Sequence, residues 1–333
     1  MKKVLSLILA LAMVFALVAC GEKQPSNDGN TDGDKPPRGN VIMTFGTADT
    51  GGSMYPAGAA VSQVWTNNVQ GVKCNTQTST GSFQNCQDVS TGEVDVAVAT
   101  SDVVLNAYNG TGKFADIGKL DNLRVIGAVY TSVLSGVALK SSGLTYIHDL
   151  LGKRVAVGPA ASATENATLA AFDVMGIDSS NTSLENLGLG DGADSVGDGI
   201  LDAAFGFAGL PIGGQLNLAA TKEIQVLDMT QEEIDKVLAG NAAYIQTKIP
   251  AGTYTGQDND ANTFGVKCLI IVTADMDADL VYDLCKAMNE HTEEMAAGNA
   301  LLKDMTDPSF LCTQMPIPLH DGAQKYYSEQ GLI

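Results

Sequence analysis

The chain has 333 residues, 19 of them basic and 38 acidic, for a formal net charge of −19. That balance argues against nucleic acid as a partner, because phosphate backbones are held by clustered Lys and Arg. It argues equally against a body lying flat on anionic lipid. The length exceeds one ordinary domain and suits two lobes.

The chain opens with a basic MKK and an apolar run from Val4 to Ala19. The run is too short to span a bilayer and reads as a signal peptide over residues 1–19. It ends in LVAC, Leu17 to Cys20, which resembles a bacterial lipobox. That resemblance implies cleavage before Cys20, a lipid thioether on Cys20, and an extracytoplasmic body anchored to the membrane through that lipid only. Residues 20–40 lack any large apolar side chain and read as a disordered tether, with a reach on the order of 25 Å.

From Val41 the pattern alternates. VIMTFGT predicts a strand, and the stretch after TADTGGSMYP a helix through Trp65. VKCNTQT predicts a strand, SFQNCQDVSTG a short helix stopping at Gly92, and VDVAVAT a strand buried on both faces. SDVVLNAYNG predicts a helix with Ser101 as its N-cap, ending near Gly110. LRVIGAVY and SGVALK predict a fourth and a fifth strand. LTYIHDLLGKRVAVG gives a short helix, a turn and a strand, and ASATENATLAAFDVMG a helix. LDAAFGF predicts a strand broken at Gly209, EIQVLDM a strand and QEEIDKVLAG a helix. IPAGTYTGQDNDAN reads as a polar loop, FGVKCLIIVTADM as a strong strand, and two further helices end the chain. The rhythm predicts an α/β fold of two doubly wound lobes with a cleft between them. Lobe 1 is expected at 41–134 plus 263–333, and lobe 2 at 135–262, with hinges near Leu134–Val137 and Asn262–Gly265.

Four strand-to-helix loops share glycine and hydroxyl residues: TADTGGSMYP (47–56), TSTGSFQN (78–85), ATSDV (99–103) and GPAASATEN (158–166). Each puts free backbone N–H groups at a helix N-terminus, where the dipole favours an anion. The first loop lacks the lysine of a P-loop and the glycine spacing of a dinucleotide fingerprint. Thr50 or Ser53 as a plain helix cap is the bland alternative. Ser162 and Glu165 form S-x-x-E, either a capping box or a carboxylate facing the cleft. Of the three arginines, Arg38, Arg124 and Arg154, none lies in these loops, so a bound carboxylate would be held by neutral donors. His148, His291 and His320 stand away from the loops, and neither H-E-x-x-H nor G-x-S-x-G occurs. Besides Cys20 there are Cys74, Cys86, Cys268, Cys285 and Cys312, with no C-x-x-C spacing for zinc. Five is odd, so at least one stays free, and pairing of the others is open. Nothing here calls for a cofactor.

GTADTGGSMYP, TGSFQN, SDVVLNAYNGTG, LLGKRVAVGPAASATEN, LPIGG, IPAGTYTGQ and PIPLHDGAQKYYSEQGL, in this order, resemble the TAXI-type solute receptors of TRAP transporters. The resemblance covers the body from Thr44 to Leu332. It implies a two-lobe binding protein of the periplasmic type II topology, without enzymatic activity. That protein would deliver glutamate, glutamine or a 2-oxoglutarate-like carboxylate to a fused TRAP permease. The ligand contacts it implies are Thr50, Gly51, Ser53 and Tyr55; Ser79, Thr80 and Ser82; Ser101 and Asp102; Ser162, Thr164 and Glu165; and Phe207, Ala208 and Gly209. The chain departs from the family pattern at Met54, Thr100 and Thr80, all near the expected pocket. The alternatives are a receptor for an ABC importer or sensor kinase, and a secreted enzyme on the same fold using Asp95, Asp102 or Glu165.

Overall fold

A computed structural model describes residues 39–50 and 52–333. The signal peptide, the Cys20 lipid site and nearly all of the tether lie outside the described residues, as does Gly51. In chain order the elements begin with β1 (Val41–Gly46), α1 (Met54–Asn68), β2 (Val72–Gln77), α2 (Ser82–Thr91), β3 (Val96–Thr100), α3 (Ser101–Asn109) and β4 (Leu123–Leu139). Next come β5 (Arg154–Ala156), α4 (Ala163–Val174), β6 (Ser183–Glu185), α5 (Leu189–Gly197), β7 (Ala203–Ala208), α6 (Gly213–Thr221) and β8 (Ile224–Val226). The chain ends with α7 (Gln231–Gly240), β9 (Ile245–Ile249), β10 (Ala261–Thr273), α8 (Ala278–Glu290), α9 (Thr292–Gly298), α10 (Pro308–Cys312) and α11 (Asp321–Glu329).

The strands form a single sheet in the order β2-β1-β3-β10-β4-β7-β5-β6, with β8 on β4 and β9 on β10. β1, β2 and β3 are mutually parallel, and so are β5, β6 and β7. Between these sets lie β10 and β4, joined antiparallel to each other and to their outer neighbours. Three successive antiparallel steps reverse the second set relative to the first. The carboxyl ends of both parallel sets therefore point at the middle of β4.

The register fixes how close those ends come. Thr100, the last residue of β3, pairs with Cys268, and Cys268 pairs with Tyr130. Ala208, the last residue of β7, pairs with Val133. Tyr130 and Val133 are three residues apart, about 10 Å along a strand. At this level both long strands change partner. β4 leaves β10 for β7 at Val133, and β10 leaves β4 for β9 at Gly265, with Gly265 and Val133 paired.

This ladder explains one correction to the sequence reading. LRVIGAVY and SGVALK are not two strands but the continuous β4, because β7 takes up the pairing where β10 ends. β9, unpredicted, exists because β10 extends three residues upstream of Phe264 and offers an edge there. Ser101 is the first residue of α3, and the N-cap is Thr100, which makes no side-chain cap bond. The predicted stops at Gly92 and Gly110 are found, both glycines being left-handed C-caps. The polar 250–260 segment is a loop, and the FGVKC strand is buried at its centre.

Helices cover both faces of the sheet. On one, Trp65 of α1 stacks on Phe45 at 5.5 Å and donates its indole N–H to Leu284 O of α8 at 3.0 Å. On the other, Phe172 of α4 meets Phe205 edge-on at 5.4 Å. Cys74, Cys86, Cys268, Cys285 and Cys312 are all buried free thiols. Among the described residues no helix is long and apolar enough to cross a membrane.

Gly265 sits where the strands exchange partners, and a Cβ there would lie 2.5 Å from the Ser132 carbonyl oxygen. Gly265→Ala is expected to lower unfolding free energy by roughly 1–3 kcal/mol through overpacking. Gly298→Ala, at an open position with nothing within 4 Å, should change it little. Urea denaturation of the two variants checks both outcomes.

Candidate functional site

The candidate site is the seam where the loops after β1, β2, β3, β5 and β7 meet. Its β1–β3 wall is built by buried polar groups. Thr47 donates through N–H and hydroxyl to Gln77 O, at 2.8 Å each, tying the first loop to the second. Asn85, in the first turn of α2 and fully buried, donates to Thr47 O at 2.6 Å and to Val98 O at 2.7 Å. The Ser79 hydroxyl shares its one proton between Thr47 O and Asn85 Oδ1 and accepts from Gly81 N–H. Ser82 accepts from the Thr100 N–H at 3.1 Å, joining the second loop to the third. One asparagine thus holds three loops, which the sequence reading missed. Its only signal was a polar side chain on the inward face of α2.

The opposite wall starts at α4. Ser162 caps this helix, accepting from the Glu165 N–H at 3.1 Å. The reciprocal half of the capping box is not formed. The Ser162 N–H goes to Pro159 O instead, while Ala161, in the left-handed region at φ 59, turns its N–H onto Glu165 Oε2 at 2.8 Å. Thr164 accepts from the Phe207 N–H at 3.1 Å, fixing α4 to the end of β7. Phe207 is a buried core ring beside Phe264 and Tyr244. Gly209 passes against Tyr130 and Leu301, where a Cβ has no room.

The walls touch. Ser53 does not cap α1; its hydroxyl reaches across to Gly209 O at 3.1 Å. Lys113, just after α3, forms an ion pair with Glu165, which also accepts from Asn186 at 3.0 Å. Burial raises the Glu165 pKa, but these bonds and the Ala161 N–H outweigh it and leave the carboxyl below its ordinary value. Asp102, fully buried at the start of α3, accepts on Oδ2 from Asn166 of α4 at 2.7 Å and from the Tyr244 hydroxyl at 3.2 Å. Burial raises its pKa despite these donors.

Of the expected contacts, Ser53, Ser82, Ser101, Asp102, Ser162, Thr164, Phe207, Ala208 and Gly209 gather at the seam. Ser79 is there too, its hydroxyl engaged by the loop itself. Tyr55 is half-buried in the first turn of α1. Thr50 is exposed, and Thr80 is exposed and bonded to Gln84. Glu165 faces Lys113, an ion pair the sequence did not suggest because 52 residues separate the partners. Two buried polar atoms at this level, Asp102 Oδ1 and the Tyr130 hydroxyl, have no hydrogen-bond partner among the described residues.

The residues expected elsewhere are elsewhere. Arg154 opens β5 at the end away from the seam and pairs with Asp202 at 3.0 Å. His148 pairs with Glu233, His291 with Glu294, and His320 caps α11 through Gly322 N–H.

Facing strand ends on two strands that run through both halves define a two-lobe fold of the periplasmic-binding-protein type. The chain belongs to the NMT1-like family, whose sequence profile matches residues 45–331. Solved structures resemble this chain at low identity. PhnD1 from Prochlorococcus marinus, in complex with methylphosphonate, is 11% identical with a TM-score of 0.53, covering 88% of this chain and 99% of that one. SsuA from Xanthomonas axonopodis pv. citri, an alkanesulfonate-binding protein bound to MOPS, is 14% identical with a TM-score of 0.49, covering 87% and 84%. AbpA from Streptococcus pneumoniae, an amino acid ABC transporter substrate-binding protein bound to L-arginine, is 13% identical with a TM-score of 0.46, covering 79% and 94%.

Asn85→Leu leaves Val98 O without its side-chain donor and leaves Thr47 O and the Ser79 hydroxyl bonded only to each other. At about 1–3 kcal/mol for an orphaned buried group, the variant should lose about that much. Chemical denaturation measures it, and a loss under about 0.5 kcal/mol would show that the loops are held by something else.

Proposed function

We propose that this protein is an extracytoplasmic solute-binding protein. It captures a small anionic ligand between its lobes and delivers it to a membrane importer. The observation that carries this reading is the convergence of both sets of strand ends at Tyr130–Val133, with helix N-termini on both walls. Such a seam offers preorganised N–H and hydroxyl donors to an anion. Neutral donors of this kind can hold an anion and release it again. We take the lobes as 41–134 plus 263–333 and 135–262, an assignment supported by the partner exchange at Val133 and Gly265. A lipid on Cys20 would hold the body at the membrane.

The ligand class is a small carboxylate of the glutamate, glutamine or 2-oxoglutarate kind. It rests on the absence of arginine from the loops and on the motif resemblance to TAXI receptors. For the importer, the ABC class fits the solved structures better than the fused TRAP permease. The TRAP reading rests on the ordered motif set.

Thermal denaturation with amino acids, keto acids, dicarboxylates, alkanesulfonates and phosphonates tests the reading. A ligand at 100 times its Kd should stabilise the protein by about 2.7 kcal/mol. No shift with any class at millimolar concentration would overturn the binding reading, and a shift confined to sulfonates or phosphonates would overturn the carboxylate. Uptake into vesicles separates the importers: dependence on ATP marks the ABC class, and dependence on an ion gradient marks the TRAP class.

A further inference from the structure

Asp102 carries the contact between the walls in an unusual way. Its carboxyl is fully buried, and both of its partners come from the opposite wall, Asn166 of α4 and Tyr244 before β9. Both partners are neutral and both bond Oδ2. Oδ1 has no hydrogen-bond partner among the described residues. Thr100 and the Val103 N–H lie beside the carboxyl and favour its charged form, but burial outweighs them. A buried carboxylate without a cation is costly, and either a proton or exposure to water removes the cost. Opening the seam supplies water, and closing it removes water.

We propose that Asp102 is a proton-sensitive latch: the neutral carboxyl favours the closed seam, and the carboxylate favours the open one. This rests on the binding-protein reading, in which the walls separate.

The groups facing Asp102 leave it as the one that titrates. Cys86 of α2 and Cys268 of β10 are buried thiols, Cys268 being pushed up to about 12 and Cys86 higher still by burial. The Tyr244 phenol is also raised by burial and stays neutral. Further along the seam, Glu165 with Lys113 acts with the opposite sign. A carboxyl whose closed-form pKa is raised binds its proton more tightly when closed. Its contribution to closure is complete below the open-form value and is lost as pH rises through the closed-form value. The lowered Glu165 contributes above its ordinary value and loses that contribution as pH falls through its lowered value. Between the two Asp102 values, one proton changes the closed-to-open ratio tenfold per pH unit, the limit set by linkage.

The test uses the ligand-free protein with fluorescent dyes at Asp116→Cys and Glu232→Cys, both exposed positions on opposite lobes. The native thiols in the described body are buried and stay unlabelled. Single-molecule energy transfer reads the closed-to-open ratio from about pH 8 to about pH 5, across the range open to a buried carboxyl. The ratio should rise toward tenfold per pH unit as pH falls. Asp102→Asn should be flat, and Glu165→Gln should keep the slope. Tyr244→Phe removes a donor to the carboxylate and should move the midpoint to higher pH. That shift tests the latch even where Asp102→Asn does not fold. A flat wild-type profile, a ratio that falls with pH, or an Asp102→Asn variant that keeps the slope overturns the latch. Because no ligand is present, such a failure leaves the binding reading to the thermal screen.

Discussion

The antiparallel ladder between β4 and β10 is the constraint on which the rest of the molecule depends. Both strands run through both halves of the sheet, and both change partners at the Val133–Gly265 pair. Because the ladder is antiparallel at each step from β3 to β7, the two parallel sets must run toward each other. Strand-to-helix loops then face one another across about three residues of β4, or about 10 Å. Helix N-termini, with their unpaired N–H groups, are brought to that gap by topology alone. Gly265, packed against the Ser132 carbonyl, has no room for a side chain at the point of exchange.

Polar ties cross the seam beside a buried apolar cluster that runs through both halves, Val103 and Phe114 on one side and Ala163 and Phe207 on the other. Ser53 with Gly209, Asp102 with Asn166 and Tyr244, and Lys113 with Glu165 are hydrogen bonds or ion pairs between groups that water can also satisfy. A neutral tie such as Ser53 with Gly209 is worth roughly 0.5–1.5 kcal/mol net, and one to a charged group about 1.5–3 kcal/mol. A tie of that strength is within reach of the few kcal/mol that a small ligand contributes on binding. The interior of each half is different: Trp65, Phe45, Phe172 and Phe205 are fully or almost fully buried.

Much of the fold was legible in the sequence because local signals agree with tertiary structure there. Gly92 and Gly110 end their helices in the left-handed conformation that a glycine C-cap requires, and Ser162 caps α4 as its S-x-x-E spacing suggested. Where partners are remote, the sequence was silent. The span Leu123–Leu139 looked like two strands because nothing local says that β7 continues the ladder after β10. Glu165 looked like a cap or a ligand group, and its partner Lys113 belongs to a different half. Asn85 gave only a polar residue on an inward helix face, yet it ties three loops. The gathering of the Ser, Thr and Gly residues at one seam was legible through their strand-end positions. Which hydroxyls are spent on the scaffold, as at Ser79, and which cross the seam, as at Ser53, depends on contacts between distant segments.

The central claim is that the facing strand ends form the ligand site. A crystal structure of the protein with a ligand from the thermal screen, or with whatever copurifies, tests it most directly. Ligand density is expected between the walls, contacting residues of the 50–53, 79–82, 100–102, 162–164 and 207–209 segments. Density instead in the surface groove lined by Lys140, Thr145, Tyr146 and Asp258, with the seam unchanged, would contradict it.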